Sequence, residues 1–146
     1  IAGGHMSMGT YGLLAREGKT DVDSCVRAIT QDKLHIVGFD LIGLCKFFDI
    51  NSGISTEMVA SCLDSEFGLQ VDPAEIRLAV RRSFLRAMAL EFRQGYTKDE
   101  FDLPAEVYAQ PNPNIRLPNL ATPEFMTELK KRVWEVFEPE LDGLLD

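Results

Sequence analysis

Asp72-Pro73-Ala74-Glu75-Ile76-Arg77-Leu78-Ala79-Val80-Arg81-Arg82-Ser83-Phe84-Leu85-Arg86-Ala87-Met88-Ala89-Leu90-Glu91-Phe92 is the stretch that decides the fold class. Its first four residues form a capping box with proline at the first helical position. The two carboxylates are placed to satisfy free backbone N–H groups and to complement the helix dipole. A helix of about twenty residues begins there. Ile76, Val80, Phe84, Ala87 and Met88 make one apolar stripe, and Leu78, Leu85 and Phe92 make a second at sevenfold spacing. A helix with two apolar faces is expected to be central and packed on both sides, and Gly95 ends it.

Outward from this helix the signals remain helical. Ile1 to Gly18 is rich in Gly and Met, without a clear period, and reads as irregular. Asp21 or Asp23 is placed to cap a short helix running to about Thr30, and a longer helix from about Asp32 carries Leu34, Ile36 and Val37 toward Asp40. Asn51-Ser52-Gly53 breaks the chain. Ser55 or Thr56 starts the next helix, with Val59, Cys62, Leu63 and Phe67 on one side and Gly68 as its stop. Thr122-Pro123-Glu124 caps the last helix, whose inner face collects Phe125, Leu129, Val133, Val136 and Phe137, with Trp134 at the edge.

Between the last two helices the composition changes. Pro104, Pro111, Pro113 and Pro118, with Asn112, Asn114 and Asn119 and with Pro123 closing the run, block regular structure and favour an extended crossing of the surface over residues 104–122. Loops of that length are usually functional or laid on a neighbour. No strand alternation and no repeat is visible. The expectation is all-α: one compact, bundle-like helical domain over residues 1–146 with a long Pro/Asn-rich surface segment.

The formal net charge of −8 argues against nucleic acid, which needs a basic footprint. Arg77, Arg81 and Arg86 share roughly one helical face beside Arg82, and a solvated or ion-paired face is the expected reading. No stretch reaches the length of a membrane span, and no secretory signal is visible. The three cysteines, Cys25, Cys45 and Cys62, form no C-x-x-C pair. An odd count without a signal points to a reducing, cytoplasmic setting. Cys25 and Cys62 lie within helical stretches and are expected to be packing residues.

The residues richest in chemistry are Asp40-Leu41-Ile42-Gly43-Leu44-Cys45. An ionised carboxylate accepts two hydrogen bonds side by side, so Asp40 suits a ligand edge with parallel N–H donors. Gly43 lets the backbone bend and approach a flat ligand. Cys45, as a thiolate, suits iron. The same residues also read as an ordinary helix end: Asp40 solvated, Gly43 a C-terminal stop, Cys45 a small buried hydrophobe.

This segment resembles the pterin-and-cluster motif of the aldehyde ferredoxin oxidoreductases, the tungsten-pterin enzymes. The resemblance continues through Lys46-Phe47 and into a second block, Arg93-Gln94-Gly95-Tyr96-Thr97-Lys98-Asp99-Glu100-Phe101-Asp102-Leu103-Pro104. It implies that the chain is a carboxy-terminal helical part of a larger enzyme. In that enzyme Asp40, Gly43 and Leu44 serve a tungsten-bis-pterin (molybdopterin), and Cys45 is the last ligand of a [4Fe-4S] cluster. The implied reaction is oxidation of an aldehyde to a carboxylic acid, with ferredoxin taking the electrons and the remaining domains of the enzyme as partners.

A cluster needs four ligands, and the upstream cysteine group that supplies the other three in the family is absent from this chain. The fragment alone is therefore expected to be inactive, without a stably bound cofactor, and able to pair as a homodimer. Gly3-Gly4-His5-Met6 resembles the family's segment that delivers a histidine toward the metal, where His5 would transfer a proton. It reads equally as a cloning junction. His35, among apolar helix residues, reads as a core or surface histidine. Near its end the chain departs from the family, because Trp134 lies within a helix followed by Pro139 and Glu140. That leaves room for a tungsten benzoyl-coenzyme A reductase subunit. The competing class is a non-catalytic helical protein-interaction domain.

Overall fold

A computed structural model describes residues 21–45, 53–98 and 122–145 of the chain. His5, Lys46-Phe47, the second block from Asp99 onward and the Pro/Asn-rich segment up to residue 121 lie outside the described residues. Every regular element among the described residues beyond single-turn 3-10 geometry is an α-helix: α1 (Val22–Leu41), α2 (Thr56–Phe67), α3 (Pro73–Arg93) and α4 (Pro123–Leu145). The fold class is all-α. No described helix is long and apolar enough to cross a membrane.

The helix starts obey the capping chemistry of the sequence. Asp21 Oδ1 accepts the Ser24 N–H at 2.8 Å and opens α1. Ser55 Oγ accepts from Met58 N at 3.3 Å and opens α2. At α3 the capping box is closed reciprocally, with Ala74 N–H donating to Asp72 Oδ1 at 2.7 Å and Asp72 N–H donating to Glu75 Oε2 at 3.4 Å. Thr122 Oγ1 accepts from Phe125 N at 3.2 Å before α4. Each of these bonds satisfies a backbone donor that has no partner within the helix.

The break expected near Thr30 to Asp32 does not exist, and α1 runs through it without interruption. The Thr30 hydroxyl turns back onto the helix, donating to the Val26 carbonyl at 2.8 Å and lying 3.1 Å from that of Arg27. A side chain that satisfies its oxygen on the preceding turn can be buried without ending the helix. Thr30 is buried.

The chain divides into two compact units, residues 1–32 with 89–146, and residues 33–88. In the first unit Cys25, Val26 and Leu129 form a buried cluster covered by Val22, Ala28, Ile29, Phe125, Met126 and Val133. An Arg132–Asp23 ion pair at 2.9 Å lies at its exposed margin. Farther along α4, Trp134, Phe137 and Leu141 are buried. This corrects the inner face assigned from the sequence, because Trp134 is core and Val136 is exposed.

The reason lies in what meets Trp134. The Phe92 ring lies 5.7 Å from it, and the Lys98 ammonium stands 5.6 Å over its ring while pairing with Glu138. α4 continues past Pro139, where a proline removes one backbone bond. Leu141 is buried beyond it, and Arg93 donates to the Leu144 carbonyl at 2.6 Å, so packing and a charged donor offset that loss.

In the second unit Phe39, Ala60, Leu85 and Met88 are buried. The two apolar faces expected of α3 are realised unequally. Leu85 and Met88 are core, Ile76, Val80 and Phe84 are half-buried, and Leu78 is exposed. Arg77 pairs with Glu57 at 2.9 Å, as an ion-paired arginine face requires.

Candidate functional site

The site is built on the carboxy-terminal end of α1. Four backbone groups in the last turn of any helix lack partners within it. Here Leu44 N–H reaches back to the Phe39 carbonyl at 2.9 Å, and Gly43 N–H to that of Asp40 at 3.1 Å. Gly43 has φ +73°. These two bonds and a left-handed glycine form a Schellman closure. A Cβ on Gly43 would meet nothing within 4 Å, so glycine stands here because of the backbone angle and not because of crowding by the chain itself.

The closure brings the sequence-predicted residues to one exposed helix end. Asp40, Leu41, Ile42, Gly43, Leu44 and Cys45 are all exposed. Two parts of the ordinary helix-end reading therefore hold: Asp40 is solvated and Gly43 is the stop. The third part does not, because Cys45 is an open thiol and not a packing residue.

Asp40 sits unfavourably. It lies in the last turn of α1, where aligned peptide dipoles already concentrate negative charge, and no basic residue occupies that turn. Leu41 and Ile42 beside it are 55% and 44% exposed. The stretch thus holds out a carboxylate, a thiol and apolar side chains that this chain's described residues leave uncovered.

The three cysteines separate by environment. Cys25 is fully buried, and burial pushes its thiol up, with the Asp21 carboxylate adding to the effect. That is the chemistry of an inert packing thiol. Cys62, expected to pack, is exposed on α2. In the twelve residues of that helix Ala60 alone is buried, Val59 and Leu63 are half-buried, and Phe67 lies open at the end. Exposure leaves Cys45 and Cys62 as accessible thiols, and only Cys45 comes after a helix stop that frees its backbone.

A [4Fe-4S] cluster takes four thiolates, so these residues fit the contribution of one ligand and no more. Among the described residues no three His, Cys, Asp or Glu side chains gather as a metal site. His35 is exposed and meets the Phe39 ring edge-on, with centroids 4.8 Å apart.

Two carboxylates elsewhere are held below the usual range, both at helix starts. Asp21 is lowered chiefly by the Ser24 backbone N–H, and Glu57 by its own backbone N–H, then by Ser55 and Arg77. A shallow depression of about 470 Å³ lies in the second unit between Ala60, Ser61, Asp64, Gln70, Val71 and Asp72. One Asp72 oxygen there is already committed to capping α3, and neither Asp40, Gly43, Leu44 nor Cys45 lines it.

Sequence reasoning missed the residues behind the motif. Phe39 is buried, and the Cβ position of Gly38 lies 3.6 Å from the Val80 side chain. No sequence signal separates Phe39 from the equally apolar Leu41, Ile42 and Leu44 that follow it, because only burial distinguishes them.

The family described as aldehyde ferredoxin oxidoreductase, domains 2 & 3, matches residues 5–141 of this chain. No curated protein and no solved structure matches it.

Proposed function

The chain belongs to the aldehyde ferredoxin oxidoreductase family, matching its domains 2 and 3, and from that premise we propose that its α1 end serves the cofactors of a tungsten-pterin oxidoreductase. The observation that carries this reading is the joint exposure of Asp40 and Cys45 on one Schellman-closed helix end. The Asp40 carboxylate accepts paired N–H donors from the pterin edge, and the Cys45 thiolate supplies one of the cluster's four ligands. Gly43 gives the backbone its turn between them.

The metal, pterin and cluster supply the redox chemistry, and the protein supplies orientation and wiring. The overall reaction takes an aldehyde and water to a carboxylic acid, with two protons released and two electrons passing to ferredoxin. His5 is the candidate for proton transfer. The other three cluster ligands come from the rest of the enzyme, which is also the partner that covers Leu41, Ile42 and Leu44.

Iron and tungsten analysis of the full-length enzyme tests this reading. Cys45→Ser is expected to lose cluster iron, while Cys62→Ser retains it. Equal iron in wild type and Cys45→Ser would remove the cluster role. Turnover of an aldehyde with a viologen dye by the isolated chain would show that the site needs no other domain, contrary to the ligand count.

A further inference from the structure

We propose that Phe39 is the positioning residue that holds the Asp40 to Cys45 stretch in place for its ligands, a role that rests on the cofactor reading given above. Six consecutive residues, Asp40 to Cys45, are exposed, and directly before them Phe39 is only 3% exposed. The stretch therefore projects from one buried side chain.

Phe39 holds it in two ways at once. Its carbonyl accepts the Leu44 N–H at 2.9 Å, the longer-range bond of the helix closure, which fixes the backbone immediately before Cys45. Its ring is enclosed and meets His35 edge-on at 4.8 Å with the planes at 67°, a favourable aromatic geometry. One residue earlier, the Cβ position of Gly38 is 3.6 Å from the Val80 side chain, so this turn of α1 lies close against α3.

The end of α3 shows that the closure does not itself require such an anchor. There Tyr96 N–H donates to the Glu91 carbonyl at 3.2 Å, the equivalent bond, and Glu91 is exposed. Helix closure is satisfied by an exposed acid in one place and tied to a buried aromatic in the other. The aromatic serves the residues carried beyond it, a carboxylate and a thiolate that must keep a fixed separation to meet two rigid ligands. Residues that orient metal ligands from behind typically change metal affinity by about 10–100-fold when lost.

The test uses the full-length holoenzyme as wild type, Phe39→Ala, Phe39→Met, Leu85→Ala and Cys45→Ser. Leu85 is equally buried in the same unit but belongs to α3, outside the Asp40 to Cys45 stretch and its closing bonds. The readouts are the rate of iron release to a chelator and the spectrum of the reduced cluster. Phe39→Ala is expected to release iron about tenfold faster, with an altered cluster spectrum. Leu85→Ala, a core truncation of comparable cost, should keep the wild-type spectrum.

Phe39→Met, which retains most of the volume, should restore the wild-type rate, and Phe39→Val, a milder truncation expected to speed release in the same direction, takes the place of Phe39→Ala in the comparison if that variant does not fold. Wild-type release and spectrum in Phe39→Ala, or in Phe39→Val where it takes that place, would overturn the positioning role, as would equal acceleration in Leu85→Ala. Full iron in Cys45→Ser would instead sink the cluster reading on which it rests.

Discussion

Helices α1 and α3 end in the same way and do different things with the ending. At α1 the bonds run from Leu44 to Phe39 and from Gly43 to Asp40, and at α3 from Tyr96 to Glu91 and from Gly95 to Phe92. Both glycines are left-handed, with φ +73° and +97°. The features common to both are therefore explained by the helix stop alone. The difference is the cargo: Asp40 and Cys45 at the first, Phe92 and Thr97 at the second. At α3 the chain turns inward, with Phe92 against Trp134 and Lys98 over it. At α1 the equivalent positions face outward. Function is thus assigned to the side chains carried by the closure, and the glycine by itself carries no assignment.

The largest effect should separate the two ends at the second residue after each glycine. In the full-length enzyme, Cys45→Ser should remove most of the cluster iron. Thr97→Ala, at the matching place, should leave iron and activity unchanged. Cys62→Ser, an exposed substitution, should stay within about 0.5 kcal/mol of wild type in stability and keep its iron. Iron counting on the three purified variants checks this, and a loss of iron shared by Cys45→Ser and Cys62→Ser would break the comparison.

Next come the glycines. Gly43→Ala and Gly95→Ala each force a Cβ into a left-handed backbone with open space around it, so each should cost about 1–2 kcal/mol from backbone strain alone. Urea midpoints, with unchanged slopes, measure that cost. If Gly43 also lets a flat ligand approach closely, only Gly43→Ala should lower pterin occupancy further. Equal pterin content in the two variants would reduce Gly43 to a helix stop.

Much of the fold was legible because its punctuation is local. The Asp72-Pro73-Ala74-Glu75 box, Ser55, Thr122, Gly68 and Gly95 act through bonds to backbone a few residues away, and the structure places all of them at helix ends. The misread boundary at Thr30 was local too. A hydroxyl can cap a helix or bond back onto it, and burial decided for the second.

The inner face of α4 was harder to read. Val133, Trp134, Val136 and Phe137 are all apolar, so several stripes fit the period, and the choice was made by Phe92 and Lys98 from elsewhere in the chain. At the candidate site the sequence named Asp40 and Cys45 but not Phe39. Its contribution is burial, which no spacing rule reports.

A smaller effect concerns the turn behind the motif. Gly38 lies inside α1, where glycine weakens a helix, and an added Cβ would make ordinary contact with Val80 at 3.6 Å. Gly38→Ala should therefore raise stability by roughly 0.5–1 kcal/mol. A loss of stability would mean that the turn cannot accept even a methyl group. No change in cluster properties is expected, because the Phe39 contacts are untouched.

The smallest effect is the most discriminating, because stability and function should move in opposite directions. Asp40 adds a negative charge to the last turn of α1, where the dipole is already negative and no basic residue offsets it. Asp40→Asn removes that charge with almost no change in size, so the folded chain should gain roughly 0.3–1 kcal/mol. The amide cannot accept two parallel hydrogen bonds, so pterin occupancy in the full-length enzyme should fall. A residue kept for the fold would lose stability on replacement, and a neutral solvated one would change neither quantity. Denaturation of the chain and pterin analysis of the enzyme measure the two sides separately. If Asp40→Asn stabilised the chain and left pterin content intact, the carboxylate would have no ligand to hold, and the contrast between the two helix ends would rest on Cys45 alone.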